Sequence, residues 1–196
     1  MQEQHAPAHA GLIQYTHDYT DFFPPNPDDG NTTAYYNWVG GEAGLGQGNE
    51  YDPDILKDPK RSLLAPYQGT NVSLYHCPAD MRPLGFANGQ SALGTLKGTK
   101  IPKVRSVSMS QAVGTNPYKK GKTVVDGPGL DGAHTHVANQ MWYTFAKPTD
   151  MRRPGPANTL VILDENKYSL NDASFATVGP REPPNYLMVD WLTVAF

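Results

Sequence analysis

The chain carries 19 Gly and 18 Pro among 196 residues, about one position in five against an average of roughly 12%, so long helices cannot dominate it. Only 18% of residues are charged and 38% are hydrophobic, enough for one modest core, and a single Cys excludes a disulfide framework. A net charge of -3 and a pI near 6.0 leave no cationic footprint for nucleic acid or an anionic membrane surface.

Met1 is followed by Gln2, Glu3 and Gln4, without the basic flank or apolar run of a signal peptide. No later segment approaches the 18 or so apolar residues of a membrane span, and the chain as written reads as a soluble polypeptide. The 11 Tyr and 3 Trp, with abundant Asn, Thr, Gly and Pro and few Lys, lean toward an extracytoplasmic setting.

After Pro7, the residues Ala8, Leu12, Tyr15 and Tyr19 recur at helical spacing and predict an amphipathic helix. It ends before Phe23-Pro24-Pro25-Asn26-Pro27-Asp28-Asp29-Gly30, which forbids both helix and central strand. Ala34 to Tyr51, with Tyr35, Tyr36 and Trp38 and then a run of glycines, reads as a long surface excursion. Ser62 is expected to cap a short helix from Leu63 to Tyr67. Val72 to Tyr75 reads as a brief strand leading into His76-Cys77-Pro78-Ala79-Asp80. Val104 to Val113 alternates, with Val107 and Met109 on one face and Ser106, Ser108 and Ser110 on the other. Gln140 to Ala146 looks like a third strand, and Thr159 to Leu163, the most apolar run, should be innermost. Ser174 to Val178 and Leu187 to Phe196 complete the set. One helix followed by strands predicts an α+β fold with an antiparallel sheet and long Gly/Pro-rich connections, in a single domain over 1–196.

Several constellations invite chemistry. His5 and His9 have a zinc-like spacing and His134 and His136 form a second pair, yet no third ligand follows from spacing. Gly127-Pro128-Gly129-Leu130-Asp131-Gly132 matches a dinucleotide fingerprint in form only, because Pro128 and the following His-Thr-His make a poor helix start. Cys77 beside His76 suggests a nucleophile with a base, but neighbours on an extended segment point to opposite faces, so a buried structural Cys is the better reading. Asn31-Thr32-Thr33 and Asn71-Val72-Ser73 match a glycosylation sequon by pattern alone. The densest polar cluster is Asp164-Glu165-Asn166 with Asn171-Asp172. Asp164, Glu165 and Asp172 are candidate calcium ligands or an acid and base pair, set against the alternative that Asp164 and Asp172 accept loop N–H groups, as Asx turns do; turn chemistry does not call for Glu165.

Leu163-Asp164-Glu165-Asn166-Lys167-Tyr168-Ser169-Leu170-Asn171-Asp172-Ala173-Ser174-Phe175 resembles the L-D-E-H-x-x-S-I-N-D-G-x-F segment of prepilin-like proteins related to type II secretion pseudopilins. Gln14 to Tyr19 with Phe23-Pro24-Pro25 resembles the end of the pilin helix and its loop. Leu63-Leu64-Ala65-Pro66-Tyr67, Tyr75-His76-Cys77-Pro78-Ala79-Asp80 and Val104-Arg105-Ser106-Val107-Ser108-Met109 resemble the family's S-L-L-x-P-Y, Y-x-C-P-A-D and R-S-V-S-M-N boxes. The resemblance spans roughly residues 12 to 196. Asn166 replaces the usual His, which weakens the case for catalysis there. The family's membrane-spanning helix and its C-terminal His-to-Asp-Gly box are not found, so a chain truncated at both ends is expected.

The resemblance implies a pilin-like fold, a non-enzymatic structural role, and a periplasmic or cell-surface location with an inner-membrane anchor in the full-length protein. The implied partners are other pilin or pseudopilin subunits. No cofactor is implied beyond calcium, which enters by analogy with the C-terminal loops of major pseudopilins. The isolated chain is expected to be a monomer or weak dimer. The alternative is a secreted carbohydrate- or protein-binding module of the same fold that stacks partners on Tyr36 and Trp38, and a hydrolase built on Asp164, Glu165 and Asp172 is a distant third.

Overall fold

A computed structural model describes residues 6–26, 33–43, 49–69, 71–87, 98–115, 145–152, 155–165, 170 and 173–175. Helix α1 spans Ala6–Asp18, with Pro7 in its first turn, where its missing N–H costs nothing. Ala8, Leu12 and Tyr15 are buried on the expected face. Tyr19 lies just beyond the helix and stacks on Tyr15, ring centroids 4.1 Å apart. The chain then turns through Thr20 (φ 53°) and Asp21 (φ 68°), two non-glycine residues in the left-handed region.

Helix α2, Pro53–Lys57, is capped by Asp52, whose carboxylate accepts the Asp54 N–H at 3.0 Å. Helix α3, Ala65–Gln68, has Leu64 at its N-cap and no side-chain cap. Ser62 therefore does not cap it. Its hydroxyl instead donates to Ile55 O and accepts the Gly40 N–H, both at 2.8 Å, tying α2 to the preceding loop. Gly40 is required there, since a Cβ would stand 2.4 Å from Arg61 O. Val72–Tyr75 is a 3-10 turn rather than a strand. Asn71 Oδ1 accepts from the Ser73 N–H and hydroxyl, a local bond that competes with extended backbone.

Strands β1 (Gly85–Phe86) and β2 (Lys100–Ile101) pair antiparallel as a small separate ribbon. The main sheet is built from β3 (Val107–Ser110), β4 (Ile162–Asp164) and β5 (Ser174–Phe175), in the order β4-β3-β5. β4 runs antiparallel to β3, with Val107 opposite Asp164 and Met109 opposite Ile162. β5 runs parallel to β3, with Met109 opposite Ser174. The class is α+β, but the sheet is mixed, not purely antiparallel.

β3 is the central strand, so the expectation that Thr159 to Leu163 is innermost is corrected. That run flanks β3, pairing starts only at Ile162, and Leu160 is 53% exposed. The serine face of β3 is buried as well as the apolar face: the Ser108 hydroxyl meets Glu165, that of Ser106 just before the strand meets Asp164, and that of Ser110 accepts the Ala112 N–H. Phe145 pairs with Val113 in an isolated parallel bridge; the rest of the Gln140 to Ala146 segment through Thr144, Ala176 onward and Leu187 to Phe196 lie outside the described residues.

One core cluster joins α1 (Leu12, Tyr15), the loop residue Trp38, Leu64, Tyr75, β3 (Val107, Met109) and Ile162 of β4. Asn37 to Gly41, Ala43 and Glu50 are buried, so this part of the 34–51 segment is interior wall rather than surface excursion. Among the described residues, no helix is long and apolar enough to cross a membrane.

Candidate functional site

The polar residues of three boxes meet at the β3–β4 end of the sheet. Ser106, just before β3, donates to Asp164 Oδ1 at 2.9 Å and accepts the Cys77 N–H at 2.7 Å. Its own N–H donates to Tyr75 O at 2.8 Å. Ser108 donates to Glu165 Oε2, and the Glu165 N–H donates to Ser106 O at 2.9 Å, extending the ladder past β4. Two adjacent acids, at the end of β4 and just past it, are thus held on two different hydroxyls, Ser106 and Ser108.

A second layer lies behind this one. Asp80 takes both arms of a fork from Arg82, with Nε 2.7 Å and Nη2 2.6 Å from Oδ2. Arg82 also donates to Ala43 O (2.9 Å) and Arg105 O (2.5 Å). Arg105, 1% exposed, donates to Val107 O (2.9 Å) and Gly41 O (2.7 Å). Lys103 and Glu50 form a buried ion pair. These cations fasten Gly41, Ala43 and Glu50 to the segment that leads into β3, the two arginines using the several donors of a guanidinium.

Electrostatics follow burial. Cys77 is half-buried, and burial pushes its thiol up, with an Asp164 hydrogen bond acting the same way and the Ala79 N–H opposing it. That is the reverse of the shift a nucleophilic thiol needs. Burial also raises Asp80, yet the hydrogen bonds from Arg82 outweigh it and hold the carboxyl below its ordinary value. Burial lowers His76, and Arg82 adds to this against the attraction of Asp80 and Asp164. Tyr75 is raised by burial in the core.

The sequence-predicted residues fare differently. Asp164 and Glu165 are brought side by side and each meets a serine; Asp172 and Asn166 lie outside the described residues. Among the described residues, no group of three or more His, Cys, Asp or Glu could hold a metal ion. Trp38 cannot stack on a ligand from where it sits. It is 0% exposed and its Nε1–H donates to Ala173 O at 3.0 Å, because an indole carries both large apolar area and one donor that a core carbonyl can satisfy. Tyr36 beside it is half-buried, and Tyr35 is the exposed ring of the three. His5, His134, His136 and the Gly127–Gly132 loop lie outside the described residues.

Sequence reasoning missed the cationic layer of Arg82, Lys103 and Arg105. Its one signal was Arg105 opening an otherwise uncharged alternating strand. Comparison with family models, curated proteins and solved structures finds no match for the chain.

Proposed function

We propose that this chain is the periplasmic part of a non-enzymatic, pseudopilin-like structural subunit of a type II secretion or type IV pilus-like fibre, with a pilin-like fold. The observation that carries the reading is the use made of the polar box residues and of Arg82 beside them. Ser106, Ser108, Asp164, Glu165, Asp80 and Arg82 bond to one another or to backbone carbonyls and so serve as staples. The only thiol is pushed toward its protonated form. A hydrolytic site of the same residues needs an acid or nucleophile aimed at a cleft, whereas these groups are spent on holding strands and loops in register.

The helix fits the role. Its buried face joins the core through Ala8, Leu12 and Tyr15, while Ile13, 58% exposed, Ala10 and His17 form an outer face. In this reading that outer face meets neighbouring subunits, and the membrane anchor belongs to the full-length protein.

The test is deletion of the gene in the source cell, followed by complementation. Exported proteins should be retained in the periplasm, and both the wild-type gene and Glu165→Gln, which keeps an acceptor for Ser108, should restore export. An unchanged exported-protein profile on deletion, or failure of a folded Glu165→Gln to complement, would overturn the proposal.

A further inference from the structure

His76 closes the 3-10 turn at Val72–Tyr75 and stands next to the arginine layer without joining it. Its Nε2 is buried, makes no hydrogen bond, and lies 3.4 Å from Asp80 Oδ2. That oxygen already accepts from Nε and Nη2 of Arg82. Arg82 is one residue with three tasks: it neutralises Asp80, it holds Ala43 O, and it holds Arg105 O, whose own guanidinium holds Gly41 O. Among the described residues, the charged and titratable groups facing His76 are Asp80 and Arg82 from its own loop and Asp164 from β4, with the Cys77 thiol adjacent in the chain and bonded toward Asp164.

We propose that His76 is an acid-sensitive latch: its protonation sets a second cation on Asp80 Oδ2, in competition with Arg82, and so loosens the hold of Arg82 on Ala43 and of the arginine layer on the 40–43 loop. The neutral imidazole leaves the fork intact. The imidazolium adds a donor at an oxygen whose acceptor sites are taken and places two like charges on one carboxylate. Asp80 cannot relieve this by taking a proton itself, because Arg82 keeps it ionised.

The sign is set by burial. His76 is held below its ordinary value of 6.5, so the unfolded or loosened chain binds its proton more readily. The latch is closed above that value and opens as the pH falls through the lowered one. The proposal is independent of the fibre reading, since it concerns how this loop is held, whatever the chain assembles with.

Amide hydrogen exchange on the intact chain tests it. Gly40 N–H donates to Ser62 Oγ and Glu42 N–H to Asn49 Oδ1, so both report on the loop. After correction for intrinsic exchange, their protection should be lower at about pH 5 than at about pH 7.5, in the direction that a lowered His76 sets. His76→Gln, neutral throughout, should remove that dependence. Constant protection in the wild-type chain, or the same pH dependence in His76→Gln, would overturn the latch. Should His76→Gln fail to fold, the imidazole titration of the wild-type chain decides. The midpoint of protection loss must coincide with that of His76 and not with those of His9 or His17; any other coincidence refutes the proposal.

Discussion

Replacing Trp38 separates a core residue from a ligand platform. The indole is wholly buried among Tyr75, Leu64 and Val107, with the Tyr75 ring centroid 6.3 Å away, and it supplies the hydrogen bond to Ala173 O at the start of β5. Truncation to Ala removes the contacts of the largest buried side chain, about 3–5 kcal/mol. It also removes one of two hydrogen bonds to Ala173 O, which keeps the Met109 N–H at 2.9 Å, for about a further 0.5–1.5 kcal/mol. The combined loss of about 3.5–6.5 kcal/mol is a large share of the roughly 5–15 kcal/mol that holds a domain together, so Trp38→Ala is expected to be severely destabilised. Trp38→Phe keeps a ring but loses the donor and part of the volume, for an expected loss of about 2–3 kcal/mol. Urea denaturation followed by circular dichroism gives both values, with the slope reporting whether the same surface is exposed. A Trp38→Ala protein within about 1 kcal/mol of wild type at unchanged slope would refute the placement of the indole.

Gly40→Ala would force a Cβ to 2.4 Å from Arg61 O, and a loss of about 1–3 kcal/mol is expected in the same urea assay. Thr20→Gly relieves a β-branched residue at φ 53°; at an exposed turn it should stabilise the chain by about 0.5–1 kcal/mol, read as a higher melting temperature. With Asp164 and Glu165 each held by a serine, 5 mM calcium or a chelator should leave the melting temperature unchanged. A native site with Kd near 0.1 mM would instead add about 2.3 kcal/mol.

The parts of the fold legible in the sequence were those fixed by local pattern. The spacing of Ala8, Leu12 and Tyr15 sufficed for α1 because a helix declares its buried face within its own residues. The Val107 and Met109 alternation located β3, but alternation alone does not say that its serine face is buried as well. The carboxylates that make burial of Ser106 and Ser108 tolerable lie more than fifty residues away, and no window shows them. The apolar Thr159 to Leu163 run was placed innermost because composition cannot tell a central strand from a flanking one. Trp38 and its glycine-rich surroundings looked like surface because the segment has no period; the indole joins a core drawn from distant parts of the chain, and Gly41, Ala43 and Glu50 are held by Arg105, Arg82 and Lys103. In the candidate site, the Asp164 and Glu165 pair was visible as a cluster, but its function as a staple depended on strand register. That register places Val107 opposite Asp164 and cannot be read before the sheet is formed.

The central claim is that the chain works by assembling with its own kind through the outer face of α1. A photoreactive side chain at Ile13, on that face, in the full-length protein within the source cell tests it, with exposed Lys60 as the control position. The expected result is membrane-fraction adducts from Ile13 to other helix-anchored, pilin-like subunits and none from Lys60. No adducts from Ile13, or equal adducts from both positions, would contradict the account.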